Sequence, residues 1–151
     1  MAKRTTTISR LVATALLAAG MLTASAVPSL SDPGPEGTWR LKSGKVTVRV
    51  RYCGGIRLCA TIIGLAQPLN KAGKPKVDDE NPNPSLRNRR IIGLQVASGL
   101  KPAGPNRWKG YIYNADDGGT YASELQLSGN AMTLQGCWGP FCKKNRFIRV
   151  P

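Results

Sequence analysis

Glycine and proline interrupt the sequence too often to leave room for long helices. Sixteen of the 17 glycines and all 11 prolines lie in the 125 residues from Val27 onward. They separate short segments, of which 45–52 alternates most clearly, with Val46, Val48, Val50 and Tyr52 on one face and charged or polar side chains on the other. Such period-two alternation is typical of a half-buried strand. The spacing therefore predicts an all-β protein, either a barrel or a sandwich.

Eight segments are predicted as strands, and residues that favour hairpin turns separate several of them. The predicted strands are 38–41, 45–52, 58–65, 91–97, 107–113, 120–127, 132–137 and 144–150. At Lys109-Gly110-Tyr111 the apolar positions change phase, and a glycine at such a change predicts a β-bulge. Eight antiparallel strands that close into a barrel leave an interior for side chains or for one small ligand.

The N-terminus has the organisation of a secretory signal peptide. Lys3, Arg4 and Arg10 supply its positive charge, residues 11–22 are almost wholly apolar, and Ala24-Ser25-Ala26 provides the small residues that signal peptidase accepts. A membrane anchor would need about 20 apolar residues. We therefore predict export, with cleavage after Ala26.

The remainder divides into a short lead-in and one folded domain. Residues 27–36 carry three prolines and no periodicity, which predicts a flexible segment. Residues 37–151 have a length that is typical of a single domain. Because no later segment is long and apolar enough to span a bilayer as a helix, we expect the mature protein not to be membrane-spanning.

The chain is strongly basic and contains no histidine. Its formal charge is +14, and removal of the three basic residues of the signal peptide leaves +11. Without histidine there are no Ser-His or Cys-His nucleophile pairs and no histidine-ligated metal. We find no recognisable catalytic set and expect neither an enzyme nor a metal or cofactor site. The run Asp116-Asp117-Gly118-Gly119 is explained most simply as a hairpin turn.

The positive charge is compatible with several partners. Nucleic-acid binding would favour charge that is interleaved with exposed aromatic residues or placed on a recognition helix, and the predicted export argues against such a partner. Anionic lipid head groups or other acidic envelope components are accessible to an exported protein. In a simpler interpretation the basic residues lie on solvated outer faces of strands and protect strand edges from aggregation. These residues are Lys45, Arg49, Arg51, Lys143 and Lys144.

All four cysteines lie in the exported part, in two local pairs. An oxidising compartment favours disulfides, which we predict between Cys53 and Cys59 and between Cys137 and Cys142. For the second pair, a two-residue Gly139-Pro140 turn would place the cysteines directly opposite each other on a hairpin. A four-thiolate zinc site and a redox-active pair remain as alternatives, although both normally use two-residue spacings between cysteines.

The segment 67–90 is polar, rich in proline and charge, and too long for a simple turn. Connections of this length inside compact domains are usually lids or disordered insertions. Its residues Asp79, Asn81, Arg87 and Arg89 have two interpretations. The Asp79 carboxylate can bind both guanidinium groups and pin the loop over the mouth of the barrel. Alternatively, the two arginines can face a bound anion.

Several motifs together resemble a bacterial exported family called domain of unknown function 2147. The most specific motif is Asp-x-Asn-Pro-x-Pro-x-Leu-Arg-x-Arg, from Asp79 to Arg89. The others are Gly37-Thr38-Trp39, Cys53 with Leu58-Cys59, Leu69 with Gly73-Lys74-Pro75, Trp108-Lys109-Gly110, Ile112-Tyr113, and Asp117-Gly118 with Thr120-Tyr121. The similarity extends over about residues 36–150.

The resemblance implies a single lipocalin-like antiparallel β-barrel in the periplasm. Gly37-Thr38-Trp39 is similar to the Gly-x-Trp of the first lipocalin strand, where the indole closes one end of the barrel. In lipocalins an arginine of the last strand packs over that indole, and the matching residue is Arg149, with Arg146 as the second choice. The implied role of Trp39 and Arg149 is structural, with a cation–π contribution of about 0.5–2 kcal/mol.

Two functional hypotheses follow from this fold and charge. The first is a binding module that holds one small amphipathic or lipid-like molecule inside the barrel. The predicted lining is Val46, Val48, Val50, Tyr52, Ile92, Leu94, Val96, Tyr121, Leu125 and Leu127. The second is an envelope interaction protein with a filled core, which uses its basic surface and the 67–90 loop against an acidic partner. Salt distinguishes them, because ionic strength weakens surface binding far more than it weakens the burial of an apolar tail.

Overall fold

The computed structural model describes residues 33–151, which form one closed antiparallel barrel. Eight strands follow each other around the barrel in sequence order, and the last pairs with the first. The strands are β1 (Gly37–Leu41), β2 (Val46–Tyr52), β3 (Leu58–Leu65), β4 (Gln95–Pro102), β5 (Arg107–Asn114), β6 (Gly119–Ser128), β7 (Ala131–Trp138) and β8 (Phe141–Val150). A single 3-10 turn, Pro84–Leu86, interrupts the long connection after β3. Within this range no helix has the length and apolar character needed to cross a membrane.

The N-terminal predictions fall largely outside the described residues. The predicted signal peptide and its cleavage after Ala26 lie there, as do residues 27–32 of the lead-in. Residues 33–36 are irregular and lead directly into β1.

The predicted barrel of eight antiparallel strands is confirmed. Seven of the eight predicted segments match an observed strand to within three residues at either end. The exception is β4, which was predicted at 91–97 and begins only at Gln95. Ile91 and Leu94 are buried in the core, but they belong to the preceding connection, where the Leu94 N–H donates to the Ile91 carbonyl oxygen. An apolar run alone does not distinguish a strand from a connection that folds over the core.

The predicted bulge at Gly110 is wrong. β5 pairs with β6 in unbroken register along its whole length. The extra residue lies in the neighbouring strand β4, around Gly99, whose φ is +70°. A Cβ at Gly110 would lie 2.8 Å from Leu100 Cδ2. The glycine therefore marks the close approach of a core leucine and not an irregularity in its own strand.

A tryptophan and an arginine close one end of the barrel. Trp39 in β1 is fully buried, and its indole Nε1 donates to the carbonyl oxygen of Pro35 at 2.9 Å. The guanidinium carbon of Arg149 in β8 lies 4.3 Å from the centroid of the indole. The same guanidinium donates to three carbonyl oxygens within residues 33–36. Arg149, and not Arg146, thus ties the lead-in across this end, which we call the closed end.

Apolar side chains fill the barrel between the closed end and its middle. The buried cluster draws on every strand and includes a second tryptophan, Trp108. Its other members are Trp39, Val48, Val50, Leu58, Ala60, Ile62, Ile91, Leu94, Ala97, Leu100, Leu125, Leu127, Met132 and Phe147. Close-packed protein interiors of this kind leave few voids larger than a water molecule.

The last hairpin is much longer than the strand beside it. β1 pairs with β8 only as far as Leu41 opposite Phe147, whereas β7 and β8 continue together to Trp138 opposite Phe141. Residues 141–145 of β8 are therefore paired with β7 alone, over about 17 Å at a rise of about 3.4 Å per residue. We call residues 134–145 the overhang.

Both predicted disulfides are present, and they lie at opposite ends of the barrel. In the overhang Cys137 lies directly opposite Cys142, with Cα atoms 4.0 Å apart. At the closed end the Cα atoms of Cys53 and Cys59 are 5.8 Å apart, and the register places Arg51 opposite Cys59. None of the cysteines is free, which removes the four thiolates that the zinc alternative requires.

Gly37→Ala should destabilise the barrel. Gly37 has a φ of +139°, and a Cβ there would lie 2.6 Å from Nη1 of Arg149. Because both backbone strain and displacement of the guanidinium oppose folding, we expect the free energy of unfolding to fall by about 2 kcal/mol. Urea denaturation followed by tryptophan fluorescence measures this change. Gly34→Ala is the matched control, since nothing lies within 4 Å of the added Cβ. Equal effects of the two substitutions would contradict the role given to Gly37.

Candidate functional site

The end of the barrel opposite Trp39 is the candidate site, and we call it the mouth. The three connections at the closed end are short, whereas the mouth receives the longest connection of the barrel. Binding residues often lie on loops that a rigid scaffold positions. The connections at the mouth are 42–45, 66–94, 115–118 and the turn 139–140.

A buried carboxylate holds the long connection in place. Asp78 is completely buried. Its oxygens accept hydrogen bonds from the Tyr113 hydroxyl at 2.6 Å, from Nδ2 of Asn81 at 2.8 Å and from Nε of Arg89 at 2.8 Å. Tyr113 belongs to β5 and the other three residues to the connection, so the carboxylate joins the loop to the barrel. We call these four residues the loop clasp.

The partners of Asp78 also contact one another. The guanidinium carbon of Arg89 lies 5.4 Å from the centroid of the Tyr113 ring. Nδ2 of Asn81 donates to the Tyr113 hydroxyl oxygen at 2.9 Å. A carboxylate buried without partners would cost several kcal/mol. The three donors are therefore what allows Asp78 to be buried in its charged form.

Hydrogen bonding sets the protonation of the loop clasp. Burial raises the pKa of Asp78, but the hydrogen bonds from Tyr113, Asn81 and Arg89, together with the charge of Arg89, bring it below its ordinary value of 3.8. Burial and the hydrogen bond to Asp78 raise the pKa of Tyr113 above its ordinary value of 10.0. At neutral pH the carboxyl is therefore ionised and the phenol keeps its proton, as the bond between them requires.

The assignment of the pinning role to Asp79 is wrong. Asp79 is exposed, and the neighbouring Asp78 takes the role. Asp78 begins a turn, which the Asn81 N–H closes by donating to the Asp78 carbonyl oxygen at 3.0 Å, so the backbone changes direction at Asp79. Arg89 binds the carboxylate of Asp78 and not that of Asp79, and Nε of Arg87 donates to the carbonyl oxygen of Asn81 at 2.7 Å. These internal contacts favour a pinned loop over a pair of arginines that face an anion.

The pinned loop also packs against the turn between β5 and β6. Gly118 in that turn has a φ of +68°, and a Cβ there would overlap the carbonyl oxygen of Glu80. Further along the connection, Ile91 and Leu94 are buried in the core. The connection is therefore a fixed part of the rim of the mouth, and the turn at 115–118 is the simple hairpin that its sequence suggests.

The inner face of the overhang carries two polar side chains. Alternate residues of β8 share the face of the buried Phe147, and in the overhang these are Asn145, Lys143 and, at the turn, Phe141. Leu134 lies opposite Asn145, and Gly136 lies opposite Lys143. Because β1 ends below them, Lys143 is exposed and Asn145 only partly buried. A lysine thus faces the space above the filled core.

Tyr121 and Asp117 form the rest of the polar side of the mouth. The Tyr121 hydroxyl donates to Oδ2 of Asp117 at 2.9 Å. Asp117 also accepts from the Gly119 N–H at 2.8 Å and from Nδ2 of Asn114 at 2.8 Å. Burial raises the pKa of Asp117, but these hydrogen bonds and the charge of Lys143 bring it below its ordinary value. The carboxylate is ionised at neutral pH and fixes the position of the Tyr121 ring.

The apolar part of the mouth consists of side chains that the barrel only partly buries. They pack against the core cluster and lie toward the mouth on the inner face of their strands. They are Leu41, Val46, Leu65, Ile112 and Leu134. Since the region below them is filled, they are the part of the apolar interior that a ligand can reach. The mouth therefore combines an apolar floor with a polar side.

The predicted lining of the barrel divides into three groups. Val48, Val50, Leu94, Leu125 and Leu127 are buried in the filled core, and Val46, Val96 and Tyr121 are partly buried. Tyr52 and Ile92 are each 43% exposed, so their assignment to the interior is wrong. Tyr52 ends β2 at the closed end, where its N–H donates to the Glu36 carboxylate. Ile92 lies in the connection before β4, which the shifted strand boundary explains.

The mouth offers groups for binding. An ammonium group and a phenol hydroxyl lie beside an apolar floor, which suits a molecule with a polar head and an apolar body. Within residues 33–151 no three His, Cys, Asp or Glu side chains converge in a way that could hold a metal ion.

Sequence reasoning missed three residues of this site, Asp78, Tyr113 and Lys143. Asp78 is one of three consecutive acids, and composition does not reveal which of them points inward. Lys143 was grouped with Lys144 on a solvated outer face. The signal that separates the two is the hairpin register, because Cys137 opposite Cys142 fixes every later pair and turns Lys143 inward. The role of Tyr113 depends on a partner 35 residues away, which local patterns do not contain.

Asp78→Ala should loosen the long connection. The substitution removes the acceptor of Arg89 and Tyr113, and hydrogen bonds to charged groups contribute about 1.5–3 kcal/mol each. We expect trypsin to cleave within residues 71–90 at least about tenfold faster, because tenfold corresponds to about 1.4 kcal/mol of easier local opening. Asp79→Ala is the matched control and should leave cleavage unchanged.

Tyr113→Phe keeps the ring and removes a single donor, so it should show a smaller acceleration in a barrel that remains folded. Equal cleavage of wild type and Asp78→Ala would contradict the loop clasp.

The loop clasp should weaken in acid. The folded-state pKa of Asp78 lies below its ordinary value, so the carboxylate contributes stability above about pH 4. That contribution is lost as the pH falls through the lowered pKa. We expect the difference in free energy of unfolding between wild type and Asp78→Asn to shrink progressively below about pH 4. Urea denaturation of both proteins between pH 7 and pH 3 measures the difference, and a constant difference would contradict the assignment.

Comparisons with known proteins agree with the barrel. The family model described as "Uncharacterized protein conserved in bacteria (DUF2147)" matches residues 37–149. Among solved structures, the chain is similar to protein HP1028 from the human pathogen Helicobacter pylori, which is described as belonging to the lipocalin family. The TM-score is 0.65 and the identity 27%, over 77% of this chain and 82% of that chain. No curated protein matches the sequence.

The family match extends from the first residue of β1 to Arg149, the penultimate residue of β8, and so covers all eight strands and both ends of the barrel. The chain therefore belongs to the DUF2147 family and has a lipocalin-like fold.

Proposed function

We propose that the protein is an exported binding module that holds one small amphipathic molecule in the mouth of its barrel. The observation that carries this proposal is Lys143, which faces the mouth beside apolar side chains that are only partly buried. Lys143 is exposed on the inner face of the overhang and is in none of the salt bridges among the described residues, so its ammonium group can approach a ligand that lies across the mouth.

The proposed binding region is shallow. Buried side chains fill the barrel as far as Leu125 and Phe147. A ligand would therefore lie across the apolar floor of the mouth and not deep inside the barrel, which narrows the first hypothesis drawn from the sequence. Each methylene group that the floor removes from water contributes about 0.8 kcal/mol. A single alkyl chain, or a part of one, is enough for micromolar affinity on this basis.

The polar side of the mouth favours a negatively charged head group. The connections at this end carry eight Lys or Arg and five Asp or Glu residues. Asp117 is already engaged by three donors, and the salt bridges among the described residues do not include Lys143. The amine of Lys143 is therefore available to a carboxylate or a phosphate. A fatty-acid-like amphiphile fits both halves of the mouth.

The loop clasp supports this function by fixing the rim. Asp78 and its three partners hold the long connection against β5. A rim that is ordered before the ligand arrives loses little conformational entropy on binding. The clasp therefore has a structural role that preserves the shape of the mouth.

Export to the periplasm is part of the proposal. The N-terminal charge, apolar segment and small residues before Val27 favour a cleaved signal peptide. The two disulfides suit an oxidising compartment, and the family is bacterial. We propose binding in place of catalysis, because the two phenols that lie beside carboxylates at this end, Tyr113 and Tyr121, have pKa values raised above the ordinary 10.0 and keep their protons at neutral pH.

A fluorescent fatty acid tests the proposal. Titration of the purified mature protein with 11-(dansylamino)undecanoic acid should give saturable binding with one site. Lys143→Ala should weaken this binding by about tenfold, because a charged head group loses an ion pair worth about 1.4 kcal/mol in a partly desolvated site. Lys144→Ala is the matched control, since this lysine lies on the outer face of the same strand, and it should change the affinity less than about twofold.

Three outcomes of the titration would contradict a ligand site in the mouth. They are no saturable binding by wild type, equal effects of the two lysine substitutions, and a steep loss of binding between 50 and 500 mM NaCl. The last outcome would favour the alternative of an envelope protein that uses its basic surface, because surface ion pairs are screened by salt whereas burial of an alkyl chain is not.

A further inference from the structure

The tip of the overhang carries two uncovered aromatic side chains. Trp138 and Phe141 are 74% and 71% exposed. They are directly opposed residues of β7 and β8 beside the turn, so both side chains lie on the same face of the hairpin. Trp39 and Trp108, by contrast, are 0% and 7% exposed. Large aromatic side chains that are exposed together are typical of an interaction surface.

The backbone beneath this pair is held rigidly. The disulfide between Cys137 and Cys142 joins the two residues that adjoin the aromatic pair. A two-residue turn with Gly139 at a φ of +56° closes the hairpin above them. We call residues 137–142 the aromatic tip. Because its conformation is fixed in advance, insertion of the rings into another phase costs little backbone entropy.

Positive charge lies directly beside the aromatic tip. Lys143 and Lys144 follow it in β8, and both are exposed. Exposed Arg146 comes next on the outer face. The aromatic tip itself contains no acidic residue. The two rings lie at the end of the hairpin, with ammonium groups a few ångströms behind them. This order matches the surface of an anionic bilayer, where an apolar acyl-chain region lies beneath negatively charged head groups.

We propose that the aromatic tip inserts into the surface of an anionic lipid bilayer and seats the mouth of the barrel on the membrane. Trp138 and Phe141 enter the boundary between head groups and acyl chains, where aromatic rings are favoured. Lys143 and Lys144 remain at the level of the lipid phosphates, and each basic residue near such a surface contributes about 1 kcal/mol. A purely apolar protein partner would not use this flanking charge. The contact is a surface one, made by a hairpin and not by a membrane-spanning segment.

Trp138 itself reports insertion. Since Trp39 and Trp108 are buried, quenching by acrylamide acts mainly on Trp138. Vesicles of phosphatidylcholine with phosphatidylglycerol should shift the tryptophan emission of the mature protein to shorter wavelength and protect it from acrylamide. Vesicles of phosphatidylcholine alone should give a much smaller effect, because they lack the negative surface potential. Equal responses to the two kinds of vesicle, or no response to either, would overturn the proposal.

Vesicle sedimentation tests the two rings directly. The double variant Trp138→Ala/Phe141→Ala should bind anionic vesicles at least about tenfold more weakly, because each ring removes more than 1 kcal/mol of apolar burial. The matched control is Ile56→Ala/Tyr52→Ala, which removes two exposed side chains, 70% and 43% exposed, at the closed end of the barrel. This control should bind vesicles as wild type does. Unchanged binding by the tip variant, or an equal loss in the control, would overturn the proposal.

Membrane docking and ligand binding in the mouth can fail separately. Titration of the tip variant with the dansylated fatty acid in the absence of vesicles measures the mouth alone. Loss of vesicle binding together with an unchanged fatty-acid titration supports docking by the aromatic tip. If wild type binds the fatty acid and ignores anionic vesicles, the docking proposal falls and the proposed function stands.

Discussion

The guanidinium group of Arg149 holds the first and last strands of the barrel together. It covers the indole of Trp39 and binds the carbonyl oxygens of the segment that precedes β1. Four residue pairs connect β1 to β8, whereas eight connect β8 to its other neighbour β7. Closure of the barrel therefore depends on the Arg149 side chain as well as on strand pairing. The Arg149 guanidinium lies where a side chain at position 37 would be, so the position requires glycine. The overhang has the same origin, since a strand of ten residues is closed against one of five.

The two ends of the barrel differ in the kind of side chain that they hold. At the closed end apolar side chains fill the interior, and the backbone carbonyl oxygens there accept hydrogen bonds from Arg149. At the mouth two carboxylates, one fully buried and one exposed, are each held by a defined set of donors. Asp78 has three donors and Asp117 has three. Lys143 differs from them, because its amine has a negative charge nearby and no carboxylate in contact. That difference separates groups that maintain the structure from the group proposed to meet a ligand.

Patterns that act locally were readable from the sequence, and contacts between distant segments were not. Alternation located β2, and turn residues located the hairpin that joins Cys137 to Cys142. The Gly-x-Trp motif led to the position of Trp39 and to Arg149 as its cover. Whether Asp78 or Asp79 faces the barrel depends on how the loop meets Tyr113, which no local pattern encodes. The start of β4 was misplaced for a related reason. Ile91 and Leu94 are apolar and cover the core, but they do so from the connection before β4, and an apolar run alone does not show this.

Because its closed end is filled, the barrel is open only at the mouth. Trp39, Leu58 and Leu100 are buried at the far side, so a ligand held in the mouth, as proposed, would leave by the path along which it entered. For an amphiphile, departure into water exposes the alkyl chain at about 0.8 kcal/mol per methylene, whereas departure into lipid does not. If the mouth is seated on a bilayer, as proposed, release of the ligand is favoured when the mouth faces lipid and disfavoured when it faces water. No conformational change of the protein is required.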